Sequence, residues 1–192
     1  MEKKFKQDES ANGLKFVYFD RHLYQPLLRL KKADHLKIDP PALDEGGGEG
    51  EGKFIEDLKS YVRENPQQLR GKKIFVLRNL PHRGIGFFDT TSFYPDFIIW
   101  IKEGKKQRII FVDPKGIHHF GPNHPKLNLH NRLKEIQPKL KKPNVSLDSF
   151  IVSTTSIESL TSQGWNRSAE EWTTNHVLFQ ESEDYLQQML SE

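Results

Sequence analysis

The chain has 192 residues with a formal net charge of +3, and its 13 Phe, 5 Tyr and 3 Trp supply enough bulk for a buried core. So mild a basic excess permits a polyanionic partner without implying one, and the absence of cysteine excludes disulfides and thiolate metal sites and fits the cytoplasm. No run approaches the roughly 18 apolar residues of a membrane span and no apolar leader follows Met1, so no membrane partner is expected.

Residues 1–12 are polar and read as a frayed end. LKFVYFD (14–20) and LLRLKK (27–32) read as strands or extended segments, and Pro26, Pro40 and Pro41 break anything between them. The Gly/Glu run 44–52 has linker composition; Gly47, Gly48, Gly52 and Lys53 only approach a phosphate loop, because Phe54 stands where a magnesium-binding hydroxyl is needed. Residues 53–65 are predicted helical from Phe54, Ile55, Leu58, Tyr61 and Val62 at 3-4-3 spacing. KKIFVLRNL (72–80) reads as a strand, and GIGFFD (84–89) as another. FYPDFIIWIK (93–102) and QRIIFVDPKG (107–116) form long β runs joined by EGKK, a hairpin signal. Residues 126–140 are predicted helical despite Pro138, SFIVSTT (149–155) reads as a buried strand, ESLTSQ and AEEWTT as short helices, HVLFQ (176–180) as a last strand, and the end as a closing helix. Hairpins first and crossovers later predict an α/β fold with a mixed sheet flanked by helices, in the order α-β-β-β-α-β. Residues 1–45 are assigned to an N-terminal extended segment and linker, and 46–192 to the main domain.

The chemistry is concentrated in the hairpin. A symmetric EGKK turn centred between Gly104 and Lys105 puts Asp96 opposite Asp113, with Lys115 two residues on and therefore on the same face. Two opposed acids repel, and both lie in apolar runs where an unpaired charge is costly. A hard divalent cation with oxygen ligands neutralises such a pair. Projected on the predicted helix, Glu51 falls in the apolar stripe while Glu49 and Glu56 point away; Gly50 and Gly52 leave the helix start open, and with it whether Glu51 or a neighbouring glutamate faces inward. Magnesium held by Asp96, Asp113, a helix glutamate and the Pro114 carbonyl would activate water and neutralise a phosphodiester, with Lys115 on the water or the phosphoryl oxygens. Manganese would substitute.

A helix glutamate, then PD (Pro95-Asp96), then D-x-K (Asp113 to Lys115) on the next strand resembles the PD-(D/E)xK nuclease superfamily. EGKFIEDLKSYV, VLRNL, GIGFFDTTSFYPDFIIWI and IIFVDPKG with HHF and NHPK resemble the C-terminal endonuclease domain of the helicase-bearing restriction subunit of type III restriction enzymes, over residues 43 to about 130, under half of the chain. The resemblance implies a restriction-endonuclease-like fold, Glu51, Asp96 and Asp113 as metal ligands, Lys115 as catalytic lysine, and a place in a restriction or phage-defence system. No helicase motif occurs, so a helicase or translocase portion or a methyltransferase subunit would be supplied elsewhere. The expected substrate is double-stranded DNA. A catalytically silent nuclease-fold module that binds DNA or a subunit, and a nuclease for branched DNA or RNA, are the alternatives.

Arg78, His118, Lys126 and Arg132 are candidate DNA contacts, Lys126, Arg132, Lys134 and Lys139 lying on the helix after the candidate site. Arg78 is equally compatible with an ordinary surface arginine, His118 with mere exposure, and the bases of the helix taken alone favour a solvated surface. His118, His119, His124 and His130 lack zinc-motif spacing, and Gly116 is expected to permit the turn after the lysine strand. Trp100, Trp165 and Trp172 are read as core or edge packing.

Overall fold

The periodic apolar run after the Gly/Glu stretch forms helix α1 (Glu51–Glu64), with Phe54, Ile55 and Leu58 fully buried. The computed structural model to which it belongs describes residues 14–16, 28–30, 43, 50–80, 83–88, 92–121 and 124–191. Of the expected N-terminal elements, β1 (Leu14–Phe16) and β2 (Leu28–Leu30) are described and pair antiparallel. The rest of those two segments and residues 44–49 of the Gly/Glu run lie outside the described residues.

The main sheet contains β3 (Lys72–Arg78), β6 (Phe97–Glu103), β7 (Lys106–Lys115), β8 (Val145–Ser153) and β9 (Val177–Phe179), in the order β3-β6-β7-β8-β9. The first two junctions are antiparallel and the last two parallel, which makes the sheet mixed. Crossovers carry the helices: α2 (Leu129–Ile136) between β7 and β8, α3 (Ile157–Ser162) and α4 (Ala169–Thr174) between β8 and β9, and α5 (Tyr185–Leu190) after β9. No helix among the described residues is long and apolar enough to cross a membrane.

Alternation along each strand divides the core between two faces. Ile74, Val76, Phe97, Ile99, Ile110, Val112, Phe150 and Val152 pack with Phe54, Ile55 and Leu58 of α1 and Leu186 and Met189 of α5. Leu43, before the boundary drawn at residue 46, is buried in this same cluster. On the other face Ile98 and Phe111 meet Leu129 and Leu133 of α2, while Ile151, Val177 and Phe179 meet Trp165 and Trp172. Covering on both faces explains why IIFV of β7 is continuously apolar rather than alternating. Trp100 departs from the packing role read for it: it is 42% exposed, its indole N–H donating to Gln107 at 3.0 Å.

Three expected elements are shorter or broken. The GIGFFD strand reduces to β4 (Phe87–Phe88), which pairs with β5 (Ser92–Phe93) outside the main sheet. FYPDFIIWIK is two strands, not one, because Pro95 has no N–H for a ladder and the chain bends at Asp96 before β6 begins. The 126–140 helix divides into a 3-10 turn at Pro125–Asn128, α2, and a second 3-10 turn at Gln137–Leu140, with a proline in the first turn of each 3-10 segment. Gly116 does not adopt a positive φ; its service is steric, since a Cβ there would lie 3.1 Å from the His118 ring nitrogen.

Phe54 is fully buried, its ring 5.4 Å from that of Phe97 beneath the site end of the sheet. Phe54→Ala is expected to lower unfolding free energy by about 3–5 kcal/mol, read from urea denaturation; a loss below about 1 kcal/mol would contradict the packing described.

Candidate metal and phosphodiester site

Strand register builds the site. Phe97 pairs with Val112, so the next step outward sets Asp96 across from Asp113, and the turn tip falls at Gly104 and Lys105, where Gly104 takes φ 55. Asp96 is half-buried at the bend before β6, whereas Asp113 is buried within β7. The backbone at the bend is pinned by Asn79, which follows β3: its N–H donates to the Asp96 carbonyl at 2.8 Å, and its side-chain amide donates to the Pro95 and Ile85 carbonyls, each at 2.8 Å. Gly84 makes room for this amide, because a Cβ there would overlap it.

The Asp96 and Asp113 side chains are hydrogen-bonded to each other, which requires a proton on one of them. Burial above all, then the hydrogen bond and charge of Asp113 and the charge of Glu51, push the Asp96 carboxyl up to about 9, against an opposing pull from Lys115. Lys115, the last residue of β7, is exposed, with its ammonium 5.9 Å from the Phe120 ring centre. Lys126, from the 3-10 turn before α2, puts its ammonium 3.4 Å from Asp113 Oδ2 and 4.4 Å from the Phe93 ring centre. The two lysines thus approach the acid pair over aromatic faces, which attract cations.

Glu51 opens α1, and its carboxylate accepts from Arg78 Nη2 at 2.6 Å. Arg78 ends β3, is only 6% exposed, and its Nη1 is buried with no hydrogen-bond partner among the described residues. Leaving such a donor unpaired costs about 1–3 kcal/mol. The start of α1 is fixed from the opposite edge of the sheet by Gln180, which accepts from the Gly50 N–H at 2.8 Å and donates to the Gly50 carbonyl at 2.9 Å. Gly50 takes φ 98, a conformation suited to glycine.

Asp96, Asp113, Glu51, Arg78 and Lys126 are therefore linked by direct contact or by charge, with Lys115 acting on Asp96 by charge. Pro114 is buried in the β7–β8 ladder beside Val152. His118 and Arg132 are engaged elsewhere: the His118 ring contacts the Thr155 hydroxyl at 3.2 Å, and Arg132 pairs with Glu135 at 3.0 Å on the solvent side of α2. His124 stacks on Phe120, and the buried His130 stacks on His176 at 4.5 Å, held down to about 4 by burial first and then by His176 and Lys134. The oxygen-only donors of the three acids suit a hard divalent cation rather than zinc. Among the described residues, however, no three His, Cys, Asp or Glu side chains are gathered as a metal cage, and Glu51 is engaged by Arg78.

Sequence reasoning missed Asn79, Gln180, Phe93 and Phe120. Gln180 had one local signal, a polar residue closing an apolar strand, and Asn79 another, a polar residue between a buried strand and Pro81. Neither signal names a partner.

A raised Asp96 means that the folded chain holds a proton the unfolded chain releases near pH 3.8. Stability from this group is complete below that value and is lost as pH rises towards about 9. In EDTA, the melting temperature should fall with pH across this window, and Asp96→Asn should flatten the decline and melt higher at pH 8; an unchanged slope would reject the shared proton. The chain matches no protein-family model, no curated protein and no solved structure.

Proposed function

We propose that this chain carries a divalent-metal-dependent endonuclease site of the PD-(D/E)xK kind on a restriction-endonuclease-like fold, hydrolysing phosphodiester bonds in double-stranded DNA. One observation carries the reading: Asp96 and Asp113 meet at the ends of adjacent strands, and Lys115 comes two residues later. A structural ion pair would need one acid and one base. Two acids in contact, with cations around them, suit a site that takes up positive charge and presents it to an anion.

Asp96 and Asp113 would hold magnesium or manganese, with Glu51 and the Pro114 carbonyl as further oxygen donors. Bound there, the ion supplies Lewis acidity, lowering the pKa of a water and neutralising the phosphodiester. Lys115, exposed at the strand end, is suited to orient the attacking water or to stabilise the phosphoryl oxygens. Lys126, its ammonium 3.4 Å from Asp113 Oδ2, offsets part of the negative charge gathered there. The exposed lysines of α2 and its flanks, Lys134 and Lys139, offer contacts to flanking phosphates that do not depend on base sequence. We assign the chain to a restriction or defence system in which a helicase portion or a methyltransferase subunit delivers the DNA. Such a coupled system would permit low cleavage by this chain alone.

The test is nicking of supercoiled plasmid in magnesium or manganese by the wild-type chain, Asp113→Ala and Lys115→Ala, with melting curves as a folding control. Each substitution should reduce cleavage by roughly a hundredfold or more. Folded variants that cut at the wild-type rate would refute the assignment. Parallel reactions on duplex, branched and single-stranded substrates would separate the duplex reading from one for branched DNA or RNA.

A further inference from the structure

Arg78, a candidate DNA contact from its sequence position, is the most constrained cation of the site. It is 6% exposed, its Nη2 is committed to Glu51 at 2.6 Å, and its Nη1 has no hydrogen-bond partner among the described residues. A guanidinium is planar, always charged and built to serve two oxygens in parallel. Held by one arm only, in a buried position, it is incomplete. Glu51 in turn bears on Asp96 by charge, and Arg78 pairs across the ladder with Phe97, the residue that follows Asp96.

We propose that Arg78 has two duties at this site, restraining Glu51 against a divalent cation through one arm and receiving a phosphodiester oxygen on the other. This rests on the endonuclease reading and adds to it the residue that ties the cation to the nucleic acid. As a competitor, the guanidinium must yield part of its hold before Glu51 can turn to a metal ion. As a receptor, its Nη1 N–H, unpartnered and buried while Glu51 is held, turns outward as that hold yields and supplies a charge-assisted hydrogen bond to a non-bridging oxygen. An oxygen taken up there shares the positive charge and loosens the grip on Glu51, so anion and cation favour one another's binding. Arg78 leads directly from β3 into Asn79, which fixes the Asp96 backbone, so the guanidinium and the acid pair are set by one stretch of chain.

Two binding measurements on the full chain test both duties without relying on cleavage. Manganese affinity is read by electron paramagnetic resonance, without DNA, in the wild type, Arg78→Gln, Glu51→Gln and the double variant. Arg78→Gln is expected to tighten manganese binding by roughly fivefold or more, and this gain should vanish in the Glu51→Gln background. Mere loss of a positive charge would give the same gain in both backgrounds and would overturn the restraint. Binding of a short fluorescein-labelled DNA duplex is then read by anisotropy in EDTA, where Arg78→Gln should weaken it about tenfold or more. Unchanged duplex affinity would overturn the receptor role. Should Arg78→Gln fail to fold, the charge-balanced double variant is compared with Glu51→Gln in the duplex assay, and Arg78→Lys with the wild type in both. Manganese binding that needs Asp113 but ignores Arg78 sinks only this inference; no binding, or binding indifferent to Asp113→Asn, removes the endonuclease reading with it.

Discussion

Two carboxyl groups touching across the ends of β6 and β7 are the constraint around which this end of the molecule is organised. Like charges opposed on neighbouring strands destabilise a sheet, and burial makes matters worse. The chain answers in several ways at once. Burial and the neighbouring acids raise the Asp96 carboxyl, Lys126 sits against Asp113, and Arg78 neutralises Glu51. Phe93 and Phe120 bring ring faces rather than further charges to the two lysines. Packing alone would have been served better by apolar residues of similar size, since a buried ionic group seldom repays its desolvation.

Side chains reaching over long stretches of sequence hold the arrangement. The first turn of α1 is tied at both edges of the sheet, by Glu51 to Arg78 at the end of β3 and by Gly50 to Gln180 just past β9. Asn79 does the same for the Pro95–Asp96 bend, spending its side-chain amide on two carbonyls and its backbone N–H on a third. These contacts supply what a loop or a helix end lacks, fixed partners for backbone groups outside a ladder. They leave the acids on a rigid frame, the condition under which a few tenths of an ångström can matter to chemistry.

The sequence was most informative where periodicity and covalent spacing decide the outcome. The apolar period of α1 and the two-residue turn at Gly104 and Lys105 arise from local pattern, and the turn alone dictates that Asp96 faces Asp113. The mixed sheet was legible as a hairpin succeeded by helical crossovers. Legibility ended where proline or distance intervened. FYPDFIIWIK reads as one β run, but Pro95 interrupts it, and Pro125 and Pro138 turn an expected long helix into a short one between 3-10 turns. Gln180 lies 130 residues from Gly50, and nothing in either neighbourhood announces the other. Lys126 was visible as one base among several, but only the fold distinguishes it, resting on Asp113, from Arg132, which faces solvent with Glu135.

The tight hairpin has a consequence for how this chain can vary in length. Residues added at its solvent-exposed tip, at Gly104 and Lys105, would lengthen a loop and leave the ladder behind it untouched. A single residue inserted between Phe97 and the tip, or between the tip and Val112, would displace one acid by a full step along its strand and turn alternate side chains to the wrong face. The hairpin is in this sense a ruler with one adjustable end: relatives that share the acid pair should differ freely in the tip and hardly at all in the arms.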